Sequence, residues 1–371
     1  MSRTPIPLKV KALLWYKAAG RCEFNGCNKR LDRHGVTMDK CNLSNCAHII
    51  ADSPDGPRGN EQSKELAKDE SNIMLMCPEC HKYIDHEGKD KFDAHTLREM
   101  KKRHEERMEY LTSFNEDMQA NVVTYGANIA DLMPMFNFHE IQKALSPDFY
   151  PLNKEFIELG VNLFCGDDWE NYWKKEDDNL VYSCKTKVLE RLDRWEHKRI
   201  ALFGFAPMPL LVRLGTLLNN KLDVVVYQKQ RCGGWQWPEY DSKIKYIIKK
   251  SDCTSKPPIL VLSLSFPIRE RVQQERPGRS IWEITIETPT PDFLRSRSIL
   301  YDFGREVENV LDEITKCSNG QPIDLYLSAP VACAIEFGRV WMKKANSPLN
   351  IYDFDRRFKN EDRLAITINN L

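Results

Sequence analysis

Apolar positions follow a helical period in the first part of the chain and a strand period later. Residues 7–19 place Leu8, Leu13, Leu14, Trp15 and Ala18 near helical spacing, and Gly20 follows as a stop. This predicts a helix that delivers the chain to Cys22. Residues 27–46 are polar and read as strand and turn. Residues 51–69 hold the run Ser53, Pro54, Asp55, Gly56, Pro57, Arg58, Gly59, Asn60, nearly all turn-formers, so this stretch reads as a loop. Residues 96–111 predict a charged helix. It ends at Thr112, Ser113, Phe114 and Asn115, where the first domain is expected to close, giving domains over 1–115 and 116–371.

From Asn121 the pattern changes. Val122, Val123, Thr124 and Tyr125 predict a strand leaving at Gly126. An internal repeat follows: residues 200–215 align without gaps on residues 323–338. Each copy reads as an apolar strand, an Ala-Pro turn (Ala206-Pro207, Ala329-Pro330) and an apolar helix with a glycine at matched depth. Each then runs to another strand, over 222–227 and 349–354. Strand, helix, strand at this length is a βαβ unit, which implies a parallel sheet with a right-handed crossover. Two copies imply two Rossmann-like halves in an α/β domain. Proline suits the first helical turn, where its missing N–H is not needed. Open parallel sheets bind ligands at the carboxyl ends of their strands, and helix N-termini there favour anions. Two pseudo-symmetric halves therefore suggest an anionic, roughly two-fold ligand. Neither copy has a G-x-G-x-x-G or a P-loop, which argues against a dinucleotide redox cofactor or an NTPase.

Composition sets bounds. A chain of 371 residues suits two or three domains, and 42% apolar with 29% charged residues describes a folded protein. Lys+Arg and Asp+Glu each total 54. Arg3, Lys9 and Lys11 interrupt the N-terminal apolar positions, so no secretory signal is read. The longest apolar runs, such as 259–264, are of strand length. A cytoplasmic protein with no membrane association is expected. Six of the 12 cysteines precede residue 81 and the rest are scattered singly, which fits reduced thiols reserved for metal.

Cys22-x4-Cys27 and Cys77-x2-Cys80 are short-spaced pairs, and two such pairs suit one tetrahedral, structural Zn2+. The alternative is four unpaired buried thiols. Cys41 and Cys46 could form the second pair instead; the two-residue spacing of Cys77 and Cys80 makes the better knuckle, and Cys46 is expected to pack. Around these pairs lie His48 at the end of a short apolar strand, Asn72 ahead of another, and His81 beside Cys80.

This arrangement over roughly the first 105 residues resembles the HNH (ββα-metal) endonucleases. The resemblance implies an α+β zinc-ribbon nuclease domain acting on double-stranded DNA. It makes His48 the general base for water attack on a phosphate. His81 becomes a ligand of a catalytic divalent cation, Mg2+ or similar. Asn72 either ligates that cation or ties down the loop that orients His48. Many members carry Asp just before the catalytic His; here Ala47 stands there, so Asp85 or water must complete the shell. Arg58 could reach a phosphate or be a solvated loop charge. Lys101, Lys102 and Arg103 could lean on DNA or form a solvated face. Residues 1–110 hold 20 Lys/Arg and 18 Asp/Glu, so DNA affinity must come from local charge or from assembling copies.

The repeat, the strand exit Gln228, Lys229, Gln230, Arg231, and the following Trp235 and Trp237 resemble the SAVED domain, a fused pair of CARF-like halves that senses cyclic oligonucleotides. The order of the two parts is similar to that of the CBASS HNH-SAVED effector nucleases of anti-phage defence. That resemblance implies a cyclic di- or trinucleotide as activating ligand. It offers Tyr125, Gln228, Lys229, Arg231, Trp235 and Trp237 as pocket residues, with Ala329, Pro330 and Arg356 at the matching exits of the second copy. Aromatic rings would stack on bases and Lys or Arg would pair with phosphates. It also implies a homo-oligomer, a dimer without ligand and larger when activated. Two other readings fit the motifs: an HNH restriction nuclease whose C-terminal part reads modified DNA, and a non-catalytic zinc-containing nucleotide sensor.

Overall fold

The computed structural model describes residues 4–127, 135–153, 155–160, 169–231, 234–252, 256–354 and 361–369. The chain divides into two compact units, Met1–Phe114 and Asn115–Leu371.

In the first unit, helix α1 (Leu8–Lys17) buries Leu14, with Ala18 behind it at the cap. Gly20 takes φ +63°, the left-handed turn that ends the helix, with the Trp15 ring packed over it. Strand β1 (Asn45–His48) pairs antiparallel with β2 (Ile73–Met76), placing His48 opposite Ile73. The connection between them is mostly loop, with a short α-helix, α2 (Ser63–Leu66), and a 3-10 turn over Glu70–Asn72. All four β2 side chains are buried. Helix α3 (Pro78–Asp85) follows at once, with Pro78 in its first turn and the Cys77 sulfur accepting from the Cys80 N–H at 3.4 Å. Helix α4 (Ala94–Thr112) starts on an Asp93 cap. The core is Leu14, Ile49, Met74, Leu75, Ile84 and Leu97.

Lys101, expected to face DNA or solvent, does neither. It lies buried among three carboxylates: Glu105 at 2.6 Å, Glu70 at 2.9 Å and Glu23 at 4.0 Å. Its α4 face packs inward, so the ammonium is compensated internally. Lys102 is exposed and pairs only loosely with Glu106.

The second unit holds two sheets. The first has strand order β4-β3-β6-β7, with β3 (Gln119–Gly126), β6 (Ile200–Phe205) and β7 (Val224–Tyr227) parallel. Short strands β4 (Tyr150–Pro151) and β5 (Ile157–Glu158) run parallel to β3 on its other edge. Helices α5 (Phe138–Leu145), α6 (Trp169–Cys184) and α7 (Met208–Leu218) belong to this half. The second sheet has order β13-β12-β11-β9-β10-β8. Its inner strands β9 (Ile259–Ser263), β10 (Ile281–Ile286), β11 (Ile323–Ser328) and β12 (Leu349–Phe354) are parallel. Both its edges, β8 (Tyr246–Lys249) and β13 (Asp362–Ile368), are antiparallel, which the βαβ pattern did not predict. Helices α8 (Arg269–Glu275), α9 (Arg297–Cys317) and α10 (Val331–Val340) complete this half.

The repeat is realised as β6-α7-β7 and β11-α10-β12, and its two helices cross backbone to backbone. A Cβ on Gly215 would lie 2.1 Å from the Ile335 carbonyl oxygen, and one on Gly338 would lie 2.0 Å from that of Val212. Val212 and Ile335 are themselves equivalent positions of the repeat, so the crossing has a local two-fold axis. Side chains also cross between the halves. Arg339 donates to the Asn219 and Leu222 carbonyls beyond the end of α7. Gln228 reaches the start of α10.

Cys317 is disulfide-bonded, so the expectation that thiols are reserved for metal does not extend to the second unit. No helix among the described residues is long and apolar enough to cross a membrane.

Candidate functional site

In a strand, neighbouring side chains point to opposite faces. Ala47 is 1% exposed and faces the first unit's core, so His48 turns outward at the end of β1. The His48 Nε2 lies 2.9 Å from the Ala67 carbonyl oxygen. A carbonyl only accepts, so Nε2 carries the proton and Nδ1 keeps its lone pair. His48, His81, Asp85 and Asp52 line one cleft of about 620 Å3, whose other wall includes Leu8, Lys11 and Trp15 of α1.

His81 and Asp85 sit one turn apart on α3, with His81 Nε2 at 3.1 Å from Asp85 Oδ2. The other Asp85 oxygen receives Arg58 Nη2 at 2.8 Å. Burial pushes the Asp85 carboxyl up, but hydrogen bonds and charge from His81 and Arg58 outweigh it and hold the group below its usual range. Arg58 is almost wholly buried. Its remaining N–H groups go to the carbonyls of Ile49, Ile84 and, at 3.4 Å, His48. It is therefore neither a phosphate contact nor a solvated loop charge: it ties the end of β1 to the end of α3. The loop that brings it there needs glycine, since a Cβ on Gly59 would strike the Pro54 carbonyl oxygen at 2.3 Å.

Asn72 is 1% exposed and fully committed. Its Oδ1 accepts from the Ile50 N–H at 2.9 Å, and its Nδ2 donates to the Ile50 and Leu66 carbonyls at 2.8 and 3.2 Å. Asn72 does not line the cleft, and these bonds are those of its second expected role, fixing the chain just after His48. Asp52 was missed by sequence reasoning. Its carboxylate accepts the Thr4 N–H at 3.0 Å, which chiefly lowers its pKa, and the nearby His48 lowers it further. Its position four residues past His48 was the only available signal.

The donors suit a divalent cation. An octahedral ion with ligands near 2.1 Å has cis donors about 3.0 Å apart, and the His81–Asp85 spacing is 3.1 Å. The Asp85 carboxylate with water and substrate oxygens is the kind of shell Mg2+ takes, and the His81 imidazole adds a nitrogen donor of the kind later first-row divalent ions prefer.

The ligand atoms of Cys22, Cys27, Cys77 and Cys80 all lie within 4.8 Å of one another, a gathering that no other group of potential ligands among the described residues matches. Tetrahedral Zn–S bonds of about 2.3 Å place sulfurs about 3.8 Å apart; Cys27 and Cys77 are 3.9 Å apart. Burial pushes the Cys22 thiol up to about 12, a cost that a bound cation reverses by holding the thiolate. Cys46 is half-buried against this core and Cys41 is exposed, so neither joins the cluster.

In the second unit the expected pocket residues do not converge. Tyr125 and Trp235 are both 2% exposed, and they belong to different cores on opposite faces of the first sheet. Trp235 stacks on Phe136 and meets Phe203 edge-on, with Lys229 Nζ 5.4 Å from its centroid. Both rings lack a free face for a base, because flanking apolar side chains cover them. Lys229 is paired with Glu140 at 3.2 Å. Arg231 is exposed, 3.9 Å from Asp292. Trp237 is half-buried beside Asp148 and Arg297 in a cavity of about 200 Å3. Of these residues Gln228 reaches the other half: its Oε1 accepts the Ala332 N–H in the first turn of α10 at 3.0 Å. Ala329 and Pro330 form the buried turn ahead of that helix. Arg356 lies outside the described residues. Sequence reading passed over the serines at the neighbouring exits. Ser328 accepts the Leu264 and Ser265 N–H groups at its carbonyl and the Phe266 N–H at its hydroxyl, leaving the Phe266 ring exposed.

Residues 184–361 match the family model of SAVED, the SMODS-associated and fused to various effectors sensor domain. No curated protein matches the chain. Among solved structures, the chain is similar to the Acinetobacter baumannii Cap4 SAVED/CARF-domain containing receptor with the cyclic trinucleotide 2'3'3'-cAAA. The two share 11% identity over 83% of this chain and 66% of that one, with a TM-score of 0.47. The Moraxella osloensis Cap4 SAVED/CARF-domain containing receptor gives 10%, 83%, 66% and 0.43. The chain thus spans just under two thirds of these receptors' length.

Proposed function

We propose that this chain is a cyclic-oligonucleotide-gated, metal-dependent endonuclease for double-stranded DNA, an effector of anti-phage defence. The observation that carries the nuclease reading is the placement of His48, with Nε2 at 2.9 Å from the Ala67 carbonyl oxygen. Its Nε2 is committed to the Ala67 carbonyl, which leaves Nδ1 as a proton acceptor on the same cleft as the His81–Asp85 pair.

His48 Nδ1 takes a proton from water as the water oxygen forms a bond to phosphorus. The bond from phosphorus to the leaving ribose oxygen breaks, and that oxygen gains a proton from solvent. His81 and Asp85 would hold a divalent cation, which when bound neutralises charge on the phosphate and leaving oxygen. Asn72 and Arg58 fix the backbone at and just after His48, so the base need not reorganise during the step. The four cysteines would hold a structural Zn2+.

The sensor reading rests on the family match at residues 184–361. The start of α10, where an amide of the first half already satisfies an N–H of the second, is the natural place for an anionic ligand to engage both halves. Ligand binding would drive assembly, which compensates for the weak net charge of the nuclease unit.

The test is plasmid integrity in Mg2+ with a panel of cyclic di- and trinucleotides, cAAA isomers among them. Cutting only in the presence of one panel member, and none by His48→Ala, is the expected result. Cutting without any ligand would favour a stand-alone nuclease. Intact plasmid throughout would sink the enzyme reading.

A further inference from the structure

The apolar residues of α1 occupy two faces. Leu14 and Ala18 point into the core, while Leu8, Lys11, Ala12 and Trp15, spaced i, i+3, i+4 and i+7, line the cleft that holds His48. Leu8 is 83% exposed. Trp15 packs partly on the first unit's core while Leu8 stays open to solvent, so the cleft wall offers an apolar edge next to the potential metal ligands. Of the basic residues that the sequence offers as DNA contacts, Arg58 is spent on Asp85 and backbone carbonyls and Lys101 on Glu105, Glu70 and Glu23, while Lys102 and Arg103 are exposed on α4 and do not line this cleft. Lys17, on the same helix, is bound to Glu70. Lys11 is exposed on the cleft wall, and its side chain has neither an ion pair nor a hydrogen bond among the described residues. Its ammonium lies close enough to Cys46, two residues before His48, to oppose the rise that burial imposes on that thiol. Asp52 and Asp85 also line the cleft and would repel a phosphodiester, so an incoming strand needs a cation besides any metal held by His81 and Asp85.

We infer that the cleft-facing side of α1 is the nucleic-acid contact of the first unit, with Lys11 positioning a backbone phosphate next to the scissile one and Leu8 and Trp15 covering the sugar edge. The ligand is the phosphodiester backbone of duplex DNA, engaged without base selection. This rests on the nuclease reading above.

The experiment uses the full chain with Mg2+, a duplex of fixed length and the activating member of the cyclic-nucleotide panel. Cleavage is followed as a function of DNA and salt concentration. Lys11→Gln should raise KM severalfold and reduce the log–log salt slope by about one contact. It should leave kcat unchanged. Lys11→Arg should restore both KM and slope, which a structural role for the aliphatic stem would not require. Leu8→Glu should raise KM further. Tyr16→Glu, on the same helix and 75% exposed but outside the cleft, should change nothing. Parental KM and salt slope in Lys11→Gln, with cleavage intact, would overturn the inference and leave the nuclease reading standing. Parent protein that cuts nothing with any panel member removes the nuclease reading, and this inference falls with it.

Discussion

Gly215 and Gly338 lie at equivalent depths of the two repeat helices, and each one's missing side chain is filled by a backbone carbonyl of the other helix. The distances from an added Cβ, 2.1 Å to Ile335 O and 2.0 Å to Val212 O, leave room for hydrogen only. Backbone cannot swing aside as a flexible side chain can. Gly215→Ala or Gly338→Ala should therefore separate α7 from α10, costing about 1–3 kcal/mol by overpacking. Because both act on one contact, the double variant should cost less than the sum. Urea unfolding of the second unit measures this. Single variants within about 0.5 kcal/mol of the parent, the range for surface changes, would mean the crossing is looser than described.

His48→Ala should lower cleavage by about 100-fold or more, the usual contribution of a general base. Zinc content and cyclic-nucleotide binding should stay at the parental level, since His48 contacts neither set of residues. Cleavage near the parental rate would remove His48 from the mechanism.

Cys77→Ser takes one sulfur from the four-thiol cluster and the hydrogen-bond acceptor from the Cys80 N–H. Structural zinc contributes folding free energy on the order of 10 kcal/mol. The first unit should then unfold at ordinary temperature, and metal analysis should fall to zero; a strong chelator should do the same to the parent. A well-folded, metal-free variant would show that the thiols pack without an ion.

His104 gives a pH signature. It is 7% exposed with Nε2 at 3.1 Å from the Ala18 carbonyl, and burial, aided by nearby Arg107, pulls its pKa below 6.5. Below 6.5 the unfolded chain takes up a proton that the folded one resists, so the unfolded state binds more protons there. Stability of the first unit from this group is complete above about 6.5 and is lost as pH falls toward the folded value. The difference in stability between parent and His104→Gln should shrink on acidifying from pH 7 to 5, at fixed zinc. A difference independent of pH would mean the imidazole does not resist charging.

Much of the second unit could be read from the repeat, because strand, Ala-Pro turn and helix recur with period and punctuation intact. The glycine match was visible too, though its cause, a backbone crossing, is tertiary. The antiparallel edges β8 and β13 were not legible, since nothing local distinguishes an edge strand's direction. In the first unit, His48, His81 and the four cysteines stood out through type and spacing. Arg58 and Lys101 did not, because a charged residue's partners lie far away in sequence: Asp85 is 27 residues from Arg58, and Glu70 is 31 from Lys101. Tyr125 and Trp235 look like ligand-stacking residues in any linear reading. Only the sheet, which puts them on opposite faces, separates them.

Arg58 has a last consequence. It spans from the carbonyls that end β1 to the carboxylate that ends α3, so His48 and Asp85 are braced against each other by the chain alone. An ion held by His81 and Asp85 would meet a carboxylate whose position Arg58 already fixes, and would lose little affinity to ordering it. Arg58→Lys, which keeps the charge but loses the fork, should weaken that grip: half-activation should need more Mg2+, while the rate at saturating Mg2+ stays close to the parent's.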